Sequence, residues 1–364
     1  MKLIVNKADV FEAVSAVATV IPRSPSIQLL GNILFEVVED RVMITGTDME
    51  TWVRMTIPAT VEEKGSITVP TRIFSDLISS LPGDSVTMEL IEGQLKINSD
   101  GSHSTLNCVP AEDYPTIPEN TLGDTVSLDR DLLLDIVSKI TPSISDRLED
   151  KREQLGALVS VKERTLNLVA TDNYRLAICK EPIESDANIK AIVAGTVWKN
   201  LTKLIGSGES GNLDLTFSPT QIGFSFGNVM VVSRLIDGDF PHYEHVIPTN
   251  FEKKAVIESK EFLAALNRVN IISKQGNRKV TLSFSENKLV CKGIASEYGE
   301  VKEELEVETG SKEMEVSMNL RKLIDGIKCT NSPRVQINMN GVLQPILLQP
   351  EGSDSFIYIL VTQR

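Results

Sequence analysis

Residues 41–48, RVMITGTD, and residues 165–172, TLNLVATD, write one phrase twice, with Thr47-Asp48 and Thr171-Asp172 lying 124 residues apart. Each alternates apolar and polar side chains with the period of a half-buried strand and closes on turn-forming residues. A third alternating stretch, KLVCKGIA, follows at 288–295. Ahead of each strand lies an amphipathic helical pattern: KADVFEAVSAVATVI (7–21), DRDLLLDIVSKITPSI (129–144) and ESKEFLAALNRVNIIS (258–273). Each carries an acidic residue or serine ahead of an i, i+3, i+4 apolar stripe, which predicts an N-capped helix.

The repetition continues down the chain. A second helix, a turn and a strand are expected in RIFSDLISSLPGDSVTMEL (72–90), VWKNLTKLIGSGESGNLDLTF (197–217) and LRKLIDGIKCTNSPRVQINM (320–339). Leu77, Leu201 and Leu323 are expected at one place in these helices, and Leu81, Ile205 and Ile327 at another. Two closing phrases match as well, PAEDYPTIP (110–118) and DGDFPHYEHVIP (237–248), which set Asp113-Tyr114-Pro115 and Asp239-Phe240-Pro241 126 residues apart. Proline stops a strand there because it has no N–H for a ladder, and the aromatic is expected to plug a domain end. A period near 125 residues far exceeds the ~20–50 of a solenoid, so each copy can bury its own core. The expected fold is α+β: three tandem domains, 1–122, 123–248 and 249–364, each of two helix-plus-strands half-units.

Composition excludes several classes. Apolar content of 41% and charged content of 24% are those of a soluble globular protein. No apolar run approaches the ~18 residues of a membrane helix, and the opening MKLIVNKADV is too short in apolar residues for a secretory signal. A cytoplasmic protein without membrane attachment is expected. Cys108, Cys179, Cys291 and Cys329 are scattered in mostly apolar runs, as buried reduced thiols are. His242 and His245 stand beside a proline and outside any helical pattern, so no metal site is expected.

Catalytic motifs are missing too. GSGESG at 206–211 fits G-x-G-x-x-G, but a helix precedes it and a strand follows, the reverse of a dinucleotide site. It reads as a loop, and no cofactor is expected. No P-loop, H-E-x-x-H or G-x-S-x-G occurs. An enzyme with a site in a domain cleft remains an open alternative.

Charge is unevenly placed. The net charge is −13, yet six helical segments (7–20, 71–80, 129–152, 194–205, 258–279 and 316–328) hold 17 basic and 12 acidic residues, leaving −18 elsewhere. Segments 7–20 and 129–152 are each net −1, so the excess comes from the other helices. Helices sharing one face would make a cationic surface that attracts phosphates without reading sequence. VATDNYRLAICK (169–180) is the densest local signal: Thr171, Asp172 and Asn173 form a turn, and Tyr174-Arg175-Leu176 put a ring, a cation and an aliphatic at a strand junction. The chain closes on SFIYILVTQR, an apolar end expected to pack rather than fray.

These features together resemble the bacterial DNA sliding clamps, the β subunits of DNA polymerase III. The residues that carry the resemblance are LLGNILFEV (29–37), TGTDMET (45–51), VPAEDYP (109–115), VATDNYRLA (169–177), DGDFPHYEHVIP (237–248) and SENKLVCK (285–292), spread over the whole chain. The resemblance implies a non-catalytic processivity factor, half of a closed ring formed as a head-to-tail homodimer around duplex DNA. It implies binding to the polymerase III α subunit, the clamp loader, other polymerases and repair proteins through short linear motifs.

Carried over residue by residue, it places a partner-peptide pocket at Thr171, Asn173, Tyr174, Arg175, Leu176, Pro241, His245 and Val246, with Tyr358, Leu360, Val361 and Thr362 as the other wall. It matches Arg152 to a DNA-side position and sets Arg23 one position from another. With the helix charge excess, Lys199, Lys203, Lys274, Arg278, Lys279, Arg321 and Lys322 are expected toward DNA too, and Leu106, Ile271 and Ile272 toward the second subunit. The chain departs from the family in four places: Thr362 replaces a tail proline, His245 an arginine, Gln154 an aliphatic and Ser104 an aromatic. A divergent clamp copy with altered partner binding is the second open alternative.

Overall fold

The structure, a computed structural model, describes residues 1–118, 123–206, 211–310 and 313–364. The centre of the GSGESG loop and the boundary expected at 122 lie outside the described residues. Six α-helices among the described residues each follow directly on a strand: α1 (Lys7–Val17), α2 (Thr71–Ser80), α3 (Arg130–Ile140), α4 (Gly195–Ile205), α5 (Ser259–Ser273) and α6 (Leu320–Thr330). Their strands are Lys2–Asn6, Gly65–Pro70, Asp124–Asp129, Ile189–Ala194, Lys253–Glu258 and Met314–Asn319. The expected half-unit is therefore present six times.

Helix ends differ from the expectation for local reasons. Asn6, not an acidic residue, caps α1 by accepting from Ala8 N and Asp9 N, and Glu258 makes no side-chain cap on α5. The helix expected over 129–144 stops at Ile140, where a 3₁₀ turn carrying Pro142 takes over. Proline cannot donate to the preceding turn and pushes its neighbour out of the α region. Counted from the first helical residue, Phe74, Trp198 and Leu323 are equivalent, while Leu77 and Leu201 correspond to Gly326. Leu323 thus sits one turn earlier than expected. A Cβ at Gly326 would lie 2.5 Å from the Tyr358 ring, so that ring fills the space a leucine takes elsewhere.

The chain divides into two compact units, Met1–Asp131 with Lys199–Leu235, and Leu132–Trp198 with Ile236–Arg364. The first holds a five-stranded sheet and an eight-stranded sheet, the latter in the order Asp124–Asp129, Asn212–Phe217, Gln221–Phe226, Val229–Arg234, Thr51–Pro58, Arg41–Thr47, Asn32–Val38, Gly65–Pro70. The second holds a four-stranded sheet and a nine-stranded one. In the nine-stranded sheet Arg175–Pro182 pairs with Phe356–Leu360, joining Gly156–Lys162 and Thr165–Thr171 to Ile346–Pro350, Arg334–Met339 and Lys253–Glu258.

Helix packing explains the repeated strand phrase. Val10, Ala13, Val14 and Val17 of α1 are fully buried, each large aliphatic contributing about 1.5–3 kcal/mol. Gly46 lets α1 approach, since a Cβ there would meet Val17 O at 2.8 Å. Gly293 stands in the same relation to α5, with Val269 Cγ1 at 2.6 Å from its would-be Cβ. The closing phrases also behave alike. Tyr114 is buried and its hydroxyl donates to Asn32 O at 2.9 Å, while Phe240 is buried in an apolar cluster of the second unit.

Candidate functional site

All the expected pocket residues fall within the second unit, at one end of the nine-stranded sheet. The turn Thr171–Arg175 is built locally. Thr171 Oγ1 donates to Arg175 O at 2.8 Å, and Asp172 Oδ1 accepts from Tyr174 N and Arg175 N, both at 3.0 Å. Asn173 takes a left-handed φ of 68°, a conformation asparagine tolerates better than most residues. The C-terminal tail is tied alongside: Val361 N donates to Tyr174 O at 3.0 Å, Gln363 N to Ser317 O at 2.7 Å, and Thr362 bridges Met318. The apolar tail therefore packs, as its composition predicts.

Beneath this surface lies a charged network. Arg175 Nε donates to Asp172 Oδ2 at 3.0 Å, and its Nη1 donates to Asp325 Oδ2 at 2.8 Å and to Tyr358 Oη at 3.4 Å. Tyr358 Oη donates to Lys322 O at 2.7 Å, and the Lys322 ammonium pairs with Asp172. Burial opposes the charge on Arg175, but Tyr358, Asp325 and Asp172 hold its pKa above the ordinary value. Burial likewise pushes the Tyr358 phenol up. Two cations face two carboxylates, so the group is balanced, and each hydrogen bond in such a setting is stronger than in water.

The surface above is apolar and open. Tyr174 is 47% exposed, Val246 49% and Val361 42%, against 6% for Leu176 and 1% for Leu360. Leu176 belongs to a buried cluster with Leu158, Val169, Ile178, Phe240 and Ile359. Pro241 is half-buried and His245 exposed. Exposed aromatic and aliphatic side chains over a rigid floor can receive an apolar anchor from a partner.

Other expected residues are placed as follows. Arg23, Arg152, Lys199, Lys203, Lys274, Arg278 and Arg321 are exposed. Lys199 and Lys203 lie one turn apart on α4, and Lys203 joins Arg130 and Glu12 in a cavity of about 570 Å³. Lys322, expected toward DNA, instead lies over the Tyr174 ring at 5.2 Å, bound to Asp172. Lys279 donates to Arg364 O at 2.8 Å. Leu106 is half-buried on the outer strand Ser102–Asn107 of its sheet, Ile271 is 60% exposed and Ile272 half-buried.

Cys179, Cys291 and Cys329 are buried, their thiols pushed up to about 12 by burial, whereas Cys108 is only half-buried. Among the described residues no group of three or more His, Cys, Asp or Glu could hold a metal ion, and no helix is long and apolar enough to cross a membrane.

The sequence reasoning did not place Asp172, Asp325, Gln154 or Arg147 in the site. Asp172 was visible as the end of a repeated phrase; Asp325 stood three residues beyond Lys322, a helical neighbour on the same face. Nothing in the spacing pointed to Arg147.

Duplicated strand-plus-helix half-units, with an exposed apolar surface at a sheet end, are the features of a DNA-clamp architecture. The DNA polymerase III beta subunit N-terminal, central and C-terminal domain families match residues 1–118, 127–242 and 244–364. A beta sliding clamp of Staphylococcus aureus is 30% identical over 357 residues, 94% of this chain and 93% of the relative. A DNA polymerase sliding clamp from Bacillus subtilis superposes with a TM-score of 0.97 at 24% identity, covering 100% of this chain and 99% of that one. A DNA polymerase III subunit beta from Pseudomonas aeruginosa gives 0.95 at 26% identity over 100% of both. The chain belongs to the DNA polymerase III β-subunit family, the sliding clamps, which are non-catalytic processivity subunits.

Proposed function

We propose that two copies of this chain join head to tail into a ring that encircles duplex DNA in the cytoplasm and tethers a replicative polymerase to its template. The observation that carries the reading is the sixfold strand–helix half-unit running through a chain matched by the family along nearly its whole length. The proposed domains are 1–122, 123–248 and 249–364. The exposed Arg23, Arg152, Lys199, Lys203, Lys274, Arg278 and Arg321 offer phosphate contacts that hold the duplex without reading bases. Lys279 and Lys322 serve structure first, through Arg364 O and Asp172.

Ser102–Asn107 and Gly299–Glu306 are outer strands of their sheets. Such edges accept a strand from another chain, which supports a subunit joint near Leu106, Ile271 and Ile272. The apolar surface of Tyr174, Val246 and Val361, with Leu176 in the buried cluster behind it, is the docking pocket for linear motifs of the polymerase α subunit, the clamp loader and repair proteins. Tethering through it raises the local concentration of polymerase at the template.

Loading onto DNA tests the ring. After loading by the cognate clamp loader, the protein should stay on nicked circular DNA through a high-salt wash and leave the same DNA once it is linearised. Equal loss from both forms overturns the ring. The double variant Val246→Ser, Val361→Ser, at two exposed positions, should remain on circles yet no longer stimulate the polymerase; full stimulation overturns the pocket.

A further inference from the structure

Gln154, the residue standing where the family has an aliphatic, is only 4% exposed, and its amide both donates and accepts. Gln154 Nε2 donates to Asn173 Oδ1 at 2.5 Å, and Asn173 Nδ2 donates back to Gln154 Oε1 at 3.1 Å. This reciprocal pair fastens the loop 145–154 to the left-handed corner of the Thr171–Arg175 turn. The loop is also closed at its neck, where Ser145 N donates to Gln154 O at 2.9 Å. Ser145 Oγ then donates to Asp150 Oδ2 at 2.5 Å and accepts from Arg147 N at 3.2 Å.

The residue so held is Arg147. Its guanidinium lies 5.6 Å from the centroid of the Tyr174 ring, beside the exposed apolar surface. Two other cations are near, but both are committed: Arg175 to Asp172 and Asp325, Lys322 to Asp172. Among the described residues Arg147 has no ion-pair partner, and Asp150 of its own loop is taken by Ser145. The Arg147 guanidinium hydrogen-bonds Tyr174, and with five N–H donors on one planar fork it can still receive a carboxylate through two parallel hydrogen bonds.

We infer that Arg147 reads a carboxylate on the docked peptide, and that Gln154, through Asn173, is the positioning residue that holds Arg147 against Tyr174. The inference rests on the pocket reading above and narrows it: the preferred partner carries an acidic group beside its apolar anchor. The carboxylate could be an Asp or Glu side chain or the peptide's own C-terminus, which is the same chemistry from two sources.

The test uses the full-length protein and fluorescence anisotropy. The probes are labelled 15-residue peptides tiled across the polymerase α subunit of the same organism. The tightest binder is remade with each Asp or Glu changed to its amide, and with a free or amidated C-terminus. On the wild type one of these changes should weaken binding roughly three- to tenfold, the size expected of a partly exposed charge-assisted pair. A side-chain amide or the terminal amide producing that loss identifies the source.

Arg147→Ala should erase the difference between acid and amide forms, and Arg147→Glu should reverse it. Gln154→Leu should shrink the same difference while leaving the amide form bound nearly as before, a pattern that loss of folding does not produce. An acid preference unchanged in Arg147→Ala, or no carboxylate dependence in the wild type, overturns the inference. If Val246→Ser, Val361→Ser abolishes binding in that case, the pocket stands and only the role of Arg147 falls. If that double variant still binds, or no tiled peptide binds at all, the pocket and the inference fall together.

Discussion

The strand pair Thr51–Pro58 with Val229–Arg234 and the pair Arg175–Pro182 with Phe356–Leu360 are one joint made twice, the first in one unit and the second in the other. Their registers match: Thr51 faces Ser233 and Trp52 faces Val232, as Arg175 faces Leu360 and Leu176 faces Ile359. The chemistry differs. At the first joint Thr51 Oγ1 and Ser233 Oγ share a buried hydrogen bond of 3.2 Å. At the second, Arg175 anchors a network with Asp172, Asp325, Lys322 and Tyr358.

The sheet faces diverge in the same way. Leu34, Glu36, Thr45, Arg54, Met230 and Val232 line a groove of about 380 Å³ in the first unit. The counterparts of all but Glu36, namely Leu158, Val169, Ile178, Ile357 and Ile359, are buried in an apolar cluster with Phe240, and Tyr243, Ile247 and Phe251 pack on it. The two joints share strands and register; the charged network and the apolar cluster occur in one of them.

The sharpest way to break this comparison is to remove the carboxylate that serves both cations. Asp172→Ala leaves Arg175, largely buried, with Asp325 alone and removes the carboxylate that pairs with Lys322. Breaking a buried pair from one side costs about 3–5 kcal/mol, and the residual exposure of Lys322 puts the expected loss near ~3 kcal/mol. Thr51→Val at the other joint removes one neutral hydroxyl pair and should cost about 1 kcal/mol. Urea unfolding of both variants measures the contrast. Equal losses would show that the network contributes no more than a hydroxyl pair.

A second variant sharpens the comparison at its most crowded point. Gly326→Ala drives a methyl to within 2.5 Å of the Tyr358 ring, which is fully buried and held by Lys322 O and Arg175. The ring cannot move without breaking those bonds, so overpacking should cost about 1–3 kcal/mol. Partner-peptide affinity should fall with it, because Tyr358 is hydrogen-bonded to Arg175 of the Thr171–Arg175 turn. Wild-type stability in this variant would mean that the ring is free to shift.

The six half-units were legible because strand alternation and helical stripes repeat at one spacing, and a repeated pattern is hard to produce by chance. Helix ends were less so. Pro142 could be read as a stop, but the one-turn displacement of Leu323 depends on Tyr358, which enters from a distant strand. The turn Thr171–Leu176 was visible because Thr, Asp and Asn announce turns locally. Its charge network was not, since Arg175 and Asp325 stand 150 residues apart. A count of helix lysines assigned Lys322 to DNA because counting charges cannot see partners. Gln154 was legible only as a departure; that it pairs with Asn173 needed the fold.

The smallest expected effect is also the most direct test of which face is which. Val169 and Thr45 are equivalent strand positions, 0% and 1% exposed. Val169→Thr puts a hydroxyl into a cluster whose buried members carry no side-chain acceptor, and a buried unsatisfied hydroxyl costs about 1–3 kcal/mol. The reverse change, Thr45→Val, removes an acceptor from Arg54 Nε at 3.1 Å, but Arg54 keeps Glu36 at 3.0 Å. Arg54 is also a quarter exposed, so water can replace the lost bond and the cost should stay below about 1 kcal/mol. Thermal unfolding of the two variants should therefore rank Val169→Thr well below Thr45→Val. Were the order reversed, the polar groove of the first unit would be the more exacting structure, and the second face would owe its stability to something other than apolar packing.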